Sequence, residues 1–154
     1  MLKKIVFVIG LIALDQYTKI LAVMKLANIR VINTTNPIVD LRYVENKGAA
    51  FGILENQVWF FILVTIVSIF VLFKYFNESI QNKNDFWFTY SVYVILAGAI
   101  GNLIDRIRLG YVIDFLNFKF VNFPVFNIAD VYICLGFAIY LINYYRNERI
   151  KNDN

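Results

Sequence analysis

Four long apolar runs constrain this chain more than any other feature. They cover residues 5–24, 58–76, 86–104 and 128–145. A helix needs roughly 20 predominantly apolar residues to cross the hydrocarbon core of a bilayer, and each run approaches that length. The hydrophobic share of 60% also exceeds that of ordinary soluble domains. The sequence therefore predicts a mainly α integral membrane protein, in which residues 1–154 form a single polytopic domain with a bundle of four transmembrane helices.

The first run carries two charged residues inside its apolar stretch. It continues past Asp15 to residue 24 without a small-residue cleavage site, which favours a retained transmembrane helix over a removed leader. Asp15 and Lys19 stand four residues apart and so share one helical face. They form either a self-compensating ion pair, with Lys19 reaching toward the outer surface, or a polar contact facing the bundle interior near an active site. Spacing alone does not choose between these interpretations.

The polar segment between the first two runs has a strand pattern and a turn pattern. Residues 39–43 alternate apolar and polar, as expected of a half-exposed strand. The stretch 46–52 follows, in which Asn46, Gly48 and other small residues suit a turn. It is either a plain connection or a cradle for an extended peptide. We expect a small extracytoplasmic β-sheet or cradle between helices 1 and 2.

The end of the third run is rich in small and polar residues. Ala97 and Gly101 predict a face for close helix packing. Asn102 and Arg106 share one face, with Asp105 close by. Arg106 is either an interfacial anchor or, with Asn102, a group that orients the acids that follow. The clustering of polar residues at one membrane level favours the second interpretation.

Two aspartates flank an aromatic connector, residues 115–125, which is predicted to be a loop dipping into the membrane interface. Asn127 is expected to cap the fourth helix, with Asp130 in its first turn. Helix capping alone would explain the position of Asp130, and Asp114 considered by itself would be an ordinary acidic residue of a loop. If the two carboxyls meet, however, they tend to share one proton and form a candidate catalytic pair.

The residue counts exclude several chemistries. The chain has no histidine and a single cysteine, Cys134, so it has no Ser-His-Asp or Cys-His site and no intrachain disulfide. We expect no metal and no cofactor. Nucleic-acid binding is not expected either, because the basic residues flank apolar runs as membrane anchors do. A carboxylate pair suits hydrolysis of an amide by activated water, and the residue pattern leaves open which aspartate is protonated.

Two other classes compete with a hydrolase. An ion-coupled transporter would distribute its acids along a route through the bilayer, whereas Asp105, Asp114 and Asp130 cluster near one face. A non-catalytic assembly factor that presents the surface sheet to a partner would have no need for two acids at the membrane mouth.

Five motifs in order resemble those of the lipoprotein signal peptidase family, also called signal peptidase II, an aspartyl endopeptidase family. They lie at residues 15–19, 46–52, 101–106, 112–115 and 126–130, and the resemblance covers nearly the whole chain. Two departures are Ala97, where the family often has Gly, and Val131, where a small polar residue is frequent. The resemblance implies that the catalytic residues are Asp114 and Asp130, with supporting or substrate-binding roles for Asp15, Lys19, Asn46, Gly48, Asn102, Arg106, Asn127 and Ala129.

The same resemblance implies the reaction and its setting. The substrate would be a diacylglyceryl-modified prolipoprotein, cut just before the lipidated cysteine. The enzyme would be a multi-pass monomer in the bacterial cytoplasmic (inner) membrane, in contact with membrane lipid. Both termini would be cytoplasmic, the active site would lie at the outer face, and the cyclic peptide globomycin would inhibit it. The positive charges divide equally between the two sides, so charge bias does not orient the chain.

Overall fold

Four helices and a small sheet make up the computed structural model, which describes residues 2–48, 54–82 and 86–152. The elements in chain order are α1 (Leu2–Leu26), β1 (Val31–Ile32), β2 (Val39–Asn46), α2 (Val58–Asn82), α3 (Phe86–Leu109), β3 (Val112–Phe118) and α4 (Ile128–Asn152). The predicted mainly α class with a small sheet is confirmed. Residues 49–52 of the predicted turn lie outside the described residues.

Three of the described helices are long and apolar enough to cross a bilayer: Leu2–Leu26, Phe86–Leu109 and Ile128–Arg149. The apolar helix Val58–Lys74 in α2 is shorter. Large apolar side chains cover the outside of the bundle, for example Trp59 at 83% exposed and Phe70 at 68%. Such a surface would aggregate in water but is suited to lipid.

Helices α3 and α4 approach closely because glycines line their contact. A methyl group on Gly98 would clash with the backbone oxygen of Ala129. One on Gly136 would lie 2.7 Å from the backbone oxygen of Ser91. Ala97 is fully buried, in keeping with the predicted small-residue face. Small residues allow this approach in a membrane, where van der Waals packing drives much of helix association.

The three strands form one antiparallel sheet in the order β1-β2-β3. Strand β2 is longer than the predicted 39–43, and it pairs with β3 from Val39 opposite Phe118 to Asn46 opposite Val112. The prediction of a loop over 115–125 was wrong for residues 115–118, which belong to β3. Five of the seven β3 residues are buried, so the strand lacks the alternation of burial that marks a half-exposed strand.

A salt bridge ties the outer edge of the sheet together. Lys119 Nζ lies 3.0 Å from Asp40 Oδ1, and it also donates to the backbone oxygens of Thr34 and Asn36 at 2.9 and 3.1 Å. Asp40 Oδ1 in turn accepts the Thr34 backbone N–H at 2.8 Å. Lys119 therefore joins the end of β3 to the β1–β2 connection.

The sheet packs against one end of the bundle. Ala22 and Leu26 of α1 form a buried cluster with Tyr43 of β2 and with Ile113 and Phe115 of β3. Burial of these apolar side chains holds β3 between the end of α3 and the start of α4. The sheet thus fixes one acidic strand residue, Asp114, at the mouth of the helix bundle.

Candidate active site

Asp114 and Asp130 line the same cavity, which has a volume of about 210 Å³. The cavity lies at the sheet end of the bundle, so strand, connector and helix ends all contribute to its wall. Its other lining residues are Asn46, Gly48, Asn102, Arg106, Val112, Phe123, Pro124, Val125 and Phe126. The structure therefore brings the two predicted catalytic acids together with four of their predicted supporting residues.

The connector brings the two acids together by folding back on β3. The backbone N–H of Leu116 donates to the oxygen of Phe126 at 2.8 Å, and the N–H of Phe126 donates back to the oxygen of Leu116 at 3.0 Å. This pairing returns the chain to β3 immediately before α4 begins at Ile128. Asn127 consequently lies beside Asp114, although thirteen residues separate them.

Two side-chain amides hold Asp114. The Nδ2 of Asn46 donates to Oδ2 at 2.8 Å, and the Nδ2 of Asn127 donates to Oδ1 at 2.6 Å. Asn46 is itself oriented, because its Oδ1 accepts the backbone N–H of Gly48 at 3.0 Å. Asp114 is only 2% exposed, so these two hydrogen bonds hold a carboxyl that water scarcely reaches.

Asp130 lies in the first turn of α4 and is partly buried. Its Oδ1 accepts a hydrogen bond from Asn102 Nδ2 at 2.7 Å, and its Oδ2 accepts one from the Asn127 backbone N–H at 3.1 Å. Asn127 Oδ1 accepts the Asp130 backbone N–H at 3.1 Å. This reciprocal pair is a capping box. The predicted cap at Asn127 is confirmed.

Burial raises the pKa of Asp114 to about 7, and the negative charge of Asp130 contributes in the same direction. The hydrogen bonds from Asn46 and Asn127, and the charge of Lys19, act against this rise. A carboxyl with this pKa exists in both protonated and ionised forms near neutral pH. General acid–base catalysis is most efficient when the pKa of the group lies near the operating pH.

Behind the acids lies a buried ionic cluster centred on Lys19. Its Nζ is 3.0 Å from Asp15 Oδ2, 2.9 Å from Asp105 Oδ2 and 2.9 Å from Asn102 Oδ1. Lys19 is 1% exposed and Asp15 is 0% exposed. The i,i+4 ion pair therefore exists, but it faces the bundle interior, and Lys19 does not reach toward the outer surface.

The cluster also fixes the backbone at the site. Asp15 Oδ1 accepts the N–H of Ala129 at 2.9 Å, and Asp105 Oδ2 accepts the N–H of Ile113 at 3.2 Å. One acid of the cluster thus holds the residue before Asp130, and the other holds the residue before Asp114. These contacts stabilise the spacing between the start of α4 and β3.

Three residues of the site were missed or misplaced by sequence reasoning. Gln16 donates to Asp105 Oδ1 at 3.0 Å, and nothing in its spacing predicted this contact. Asp105 was expected close to Asn102 and Arg106, and its ion pair with Lys19 was not predicted. Phe61 of α2 lies under the cavity residue Arg106, whose Cζ is 5.3 Å from the ring centroid. This distance is within the range of a cation–π interaction.

The arrangement is suited to acid–base chemistry on a small polar centre. Two carboxyls and two amides face one cavity, and Arg106 supplies a positive charge at its wall. Within residues 2–48, 54–82 and 86–152, no group of three or more cysteine, aspartate or glutamate residues is arranged to hold a metal ion.

Comparisons with known proteins point to one family. The model of the family described as signal peptidase (SPase) II matches residues 7–146. A lipoprotein signal peptidase of Caldanaerobacter subterraneus subsp. tengcongensis is 47% identical over 136 residues, which cover 88% of this chain and 90% of that protein. One from Streptococcus agalactiae serotype Ia is 40% identical over 149 residues, covering 97% and 96%.

A solved structure extends the agreement to the fold. A bacterial membrane enzyme determined by the in meso method superposes with a TM-score of 0.83 at 26% identity, covering 96% of this chain and 90% of that one. Because the family model spans most of the chain and these relatives align along nearly their whole length, this protein belongs to the signal peptidase II family.

Proposed function

We propose that this protein is an aspartic endopeptidase of the membrane that removes the signal peptide from diacylglyceryl-modified prolipoproteins. Membership of the signal peptidase II family supports a protease that removes signal peptides from prolipoproteins. The aspartic mechanism, with Asp114 and Asp130 as the catalytic pair, rests on one observation. Both carboxyls line one cavity at the end of the bundle, and amide donors hold both oxygens of each.

The pair hydrolyses the amide bond through one water molecule. The ionised carboxylate takes a proton from the water as its oxygen attacks the scissile carbonyl carbon. The protonated carboxyl donates to the carbonyl oxygen, which stabilises the tetrahedral intermediate. When the C–N bond breaks, the leaving amine receives a proton from the carboxyl that took one from water. As the carbonyl re-forms, the proton on its oxygen returns to the second carboxyl. One C–O bond has then formed, one C–N bond has broken, and the pair again holds a single shared proton.

The supporting residues position this chemistry. Asn46, Asn102 and Asn127 orient the carboxyls, while Gly48 orients Asn46. Arg106 lies at the cavity wall, where its charge is suited to binding a substrate carbonyl near the scissile bond. Asp15, Lys19 and the backbone of Ala129 fix the start of α4.

The substrate reaches the cavity from the lipid. Its signal segment is an apolar helix and its cysteine carries two acyl chains, so neither can leave the bilayer cheaply. The cavity wall includes Gly48, two residues after β2, and residues Phe123 to Phe126 before α4. An extended cleavage segment fits between these two walls, with the scissile bond over the acidic pair.

The setting follows from the same reasoning. The chain works as one domain with four transmembrane helices, so its termini lie on the same side of the membrane. We assign them to the cytoplasm and the sheet end to the outer face of the bacterial cytoplasmic (inner) membrane. The chain acts as a monomer without a cofactor. The family resemblance implies that a cyclic peptide such as globomycin inhibits it.

Cleavage of a purified diacylglyceryl prolipoprotein in detergent tests the proposal. Wild type is expected to release the signal peptide with a cut just before the lipidated cysteine, identified by the masses of both products. Asp114→Asn and Asp130→Asn are each expected to lose at least two orders of magnitude in kcat, as general acid–base groups contribute about 10²–10⁴-fold.

A matched control tests whether the loss of activity is specific to Asp114 and Asp130 or follows the removal of any acidic residue near the site. Glu45 is an exposed acid on the same sheet, so Glu45→Gln is expected to cleave at the wild-type rate. All variants are checked for folding by thermal unfolding. Wild-type rates in both folded aspartate variants would refute the catalytic pair, whereas an inert wild type would refute the peptidase assignment itself.

A further inference from the structure

The geometry points to Lys19 as a positioning residue that decides which aspartate of the pair is ionised. By fixing the orientation of the Asn102 amide, it makes Asp130 the ionised base and Asp114 the carrier of the shared proton. This inference rests on the proposed function, because it assigns the two catalytic roles that the function leaves open. Lys19 acts only through Asn102 and does not touch the reacting atoms.

The first step is the saturation of the Lys19 ammonium. An ammonium group has three N–H donors and no acceptor. Its three partners are Asp15 Oδ2, Asp105 Oδ2 and Asn102 Oδ1, at 3.0, 2.9 and 2.9 Å. With Lys19 1% exposed, an Asn102 NH₂ group in this position would place donor against donor in a buried site. The amide of Asn102 must therefore present its oxygen to Lys19.

A second donor supports the same orientation. Asn127 Nδ2 lies 3.1 Å from Asn102 Oδ1. Asn127 cannot turn its own amide around, because its Oδ1 faces the backbone N–H of Asp130 at 3.1 Å, and a backbone N–H only donates. Both neighbours of Asn102 Oδ1 are thus donors. The NH₂ of Asn102 is consequently left to face Asp130 Oδ1 at 2.7 Å.

The third step concerns the two carboxyls. Asp130 receives donors on both oxygens, from Asn102 and from the backbone N–H of Asn127, and it lies at the positive end of the α4 dipole. It is also partly open to the cavity. Hydrogen bonds to the charged form, a favourable helix end and residual hydration all stabilise an ionised carboxylate.

Asp114 has weaker support for a negative charge. It also has two amide donors, those of Asn46 and Asn127, but at 2% exposed it is more deeply buried than Asp130, and it does not lie in the first turn of α4. Burial raises its pKa to about 7, and the charge of Asp130 adds to this effect. A single shared proton therefore resides on Asp114. Among the other charged groups, Arg106 of α3 interacts with both Asp114 and Asp130, and Lys19 of α1 interacts with Asp114. Asp15 of α1 and Asp105 of α3 both form ion pairs with Lys19.

A double-mutant cycle in pH–rate profiles tests this route. We compare wild type, Lys19→Gln, Asn102→Leu and the double variant, measuring kcat and KM from pH 4 to 9. In each single variant, the acidic limb of kcat/KM is expected to move up by about one pH unit, which lowers activity roughly tenfold on the acidic side. KM is expected to stay unchanged. In the Asn102→Leu background, Lys19→Gln is expected to cause no further shift.

The cycle distinguishes positioning from simple charge. If Lys19 acted on Asp130 through space, removing its charge would shift the limb by the same amount whether or not Asn102 is present. Additive shifts would therefore overturn the inference, as would an acidic limb that stays in place in a folded and active Asn102→Leu variant. A purely structural role of Lys19 would lower stability without moving the limb, and that result would also overturn it.

Removing Lys19 leaves Asp15 and Asp105 without their cation, so the single variant is at risk of not folding. The companion variant Lys19→Gln/Asp105→Asn removes one acid with the cation, and it takes the place of the single variant in the cycle if needed. Its reference is then Asp105→Asn alone. Relative to that reference, the acidic limb is expected to shift by the same amount as in Lys19→Gln, and the shift is expected to disappear in the Asn102→Leu background.

Infrared titration of the carboxyl C=O band gives a readout that does not depend on activity. The protonated carboxyl band is expected to persist to higher pH in Asp130→Asn, which retains Asp114, than in Asp114→Asn, which retains Asp130. The reverse pattern would overturn the assignment. An inert wild type would refute only the proposed function, because this titration still measures the protonation of each carboxyl.

Discussion

Gly101 packs tightly against the buried ionic cluster, so adding a methyl group at this position is a stringent test of the structure. A methyl group added there would lie 2.6 Å from Asp15 Oδ2, 3.2 Å from Asp15 Cγ and 3.3 Å from Ala129 Cβ. Real Cβ atoms essentially never approach a neighbour below 3.0 Å, so the carboxylate or one of the helices must move. Gly101→Ala therefore perturbs the contact between α1, α3 and α4 with a single carbon atom.

The carboxylate has no free direction in which to move. Asp15 is 0% exposed, its Oδ1 accepts the Ala129 N–H at 2.9 Å, and its Oδ2 pairs with Lys19 at 3.0 Å. Overpacking of this kind costs about 1–3 kcal/mol. If the carboxylate leaves Lys19, loss of the buried pair raises the cost to about 3–5 kcal/mol. The gain from replacing a helical glycine by alanine, about 0.5–1 kcal/mol, does not offset either value.

The chain supplies a matched control in Gly10. This residue lies within α1, and a methyl group added there meets nothing within 4 Å. Thermal unfolding in one detergent, followed by circular dichroism, compares the two alanine variants with wild type. Gly10→Ala is expected to leave the midpoint unchanged or raise it slightly. Gly101→Ala is expected to lower it by several degrees, since about 2–4 °C accompany each kcal/mol in a chain of this size.

Activity adds a second readout for the same variant. Ala129 precedes Asp130, so a shift of α4 or of Asp15 displaces the Asp130 carboxyl from its proposed catalytic position. At a temperature where the variant is still folded, the cleavage rate of Gly101→Ala is expected to be more than tenfold below that of wild type. Gly10→Ala is expected to retain wild-type activity. If Gly101→Ala matched Gly10→Ala in both midpoint and activity, the close approach of α1, α3 and α4 would be wrong.

Two further predictions concern pH. Asp114 has a pKa of about 7, and in its proposed role it must be protonated to donate to the substrate carbonyl. The value of kcat/KM is therefore expected to fall as pH rises above about 7. A pH–rate profile without an alkaline limb near this pH would contradict the proposed role. At the sheet edge, burial acts to raise the pKa of Asp40, but the hydrogen bonds from Lys119 and Thr34 outweigh it and hold the pKa below its usual range. A lowered folded-state pKa stabilises the protein above the unfolded value of about 4, and this contribution is lost as pH falls. Lys119→Gln is therefore expected to lower the unfolding midpoint at pH 7 with cleavage retained, and the difference from wild type is expected to shrink toward pH 3; a difference that grows at low pH would refute this.

Short-range relations in the site were readable from the chain because helix geometry fixes them. The capping of Asp130 by Asn127 depends on a spacing of three residues, and the facing of Asp15 and Lys19 on a spacing of four. The membrane class likewise followed from the length of the apolar runs. These inferences needed no knowledge of how the helices pack.

Long-range relations were not readable in the same way. Lys19 meets Asn102 across 83 residues, and Asn46 meets Asp114 across 68. Strand β3 escaped detection because most of it is buried, so its burial does not alternate as in a half-exposed strand. Asp105 was not predicted to pair with Lys19, for a related reason. It lies close to Arg106 in sequence, but α1 packs against its side of α3.

The sequence by itself determined the solvent in which this protein folds, the number of its apolar segments and the local pairs around its acids, since each depends on neighbouring residues. Only the tertiary structure decided that both acids share one cavity, that the Lys19 ammonium is buried behind Asn102, and that the amides point their donors at the carboxylates. The physical reason is that a buried donor or acceptor must find a complementary partner. Which partner it finds depends on the close approach of segments that lie far apart in the chain.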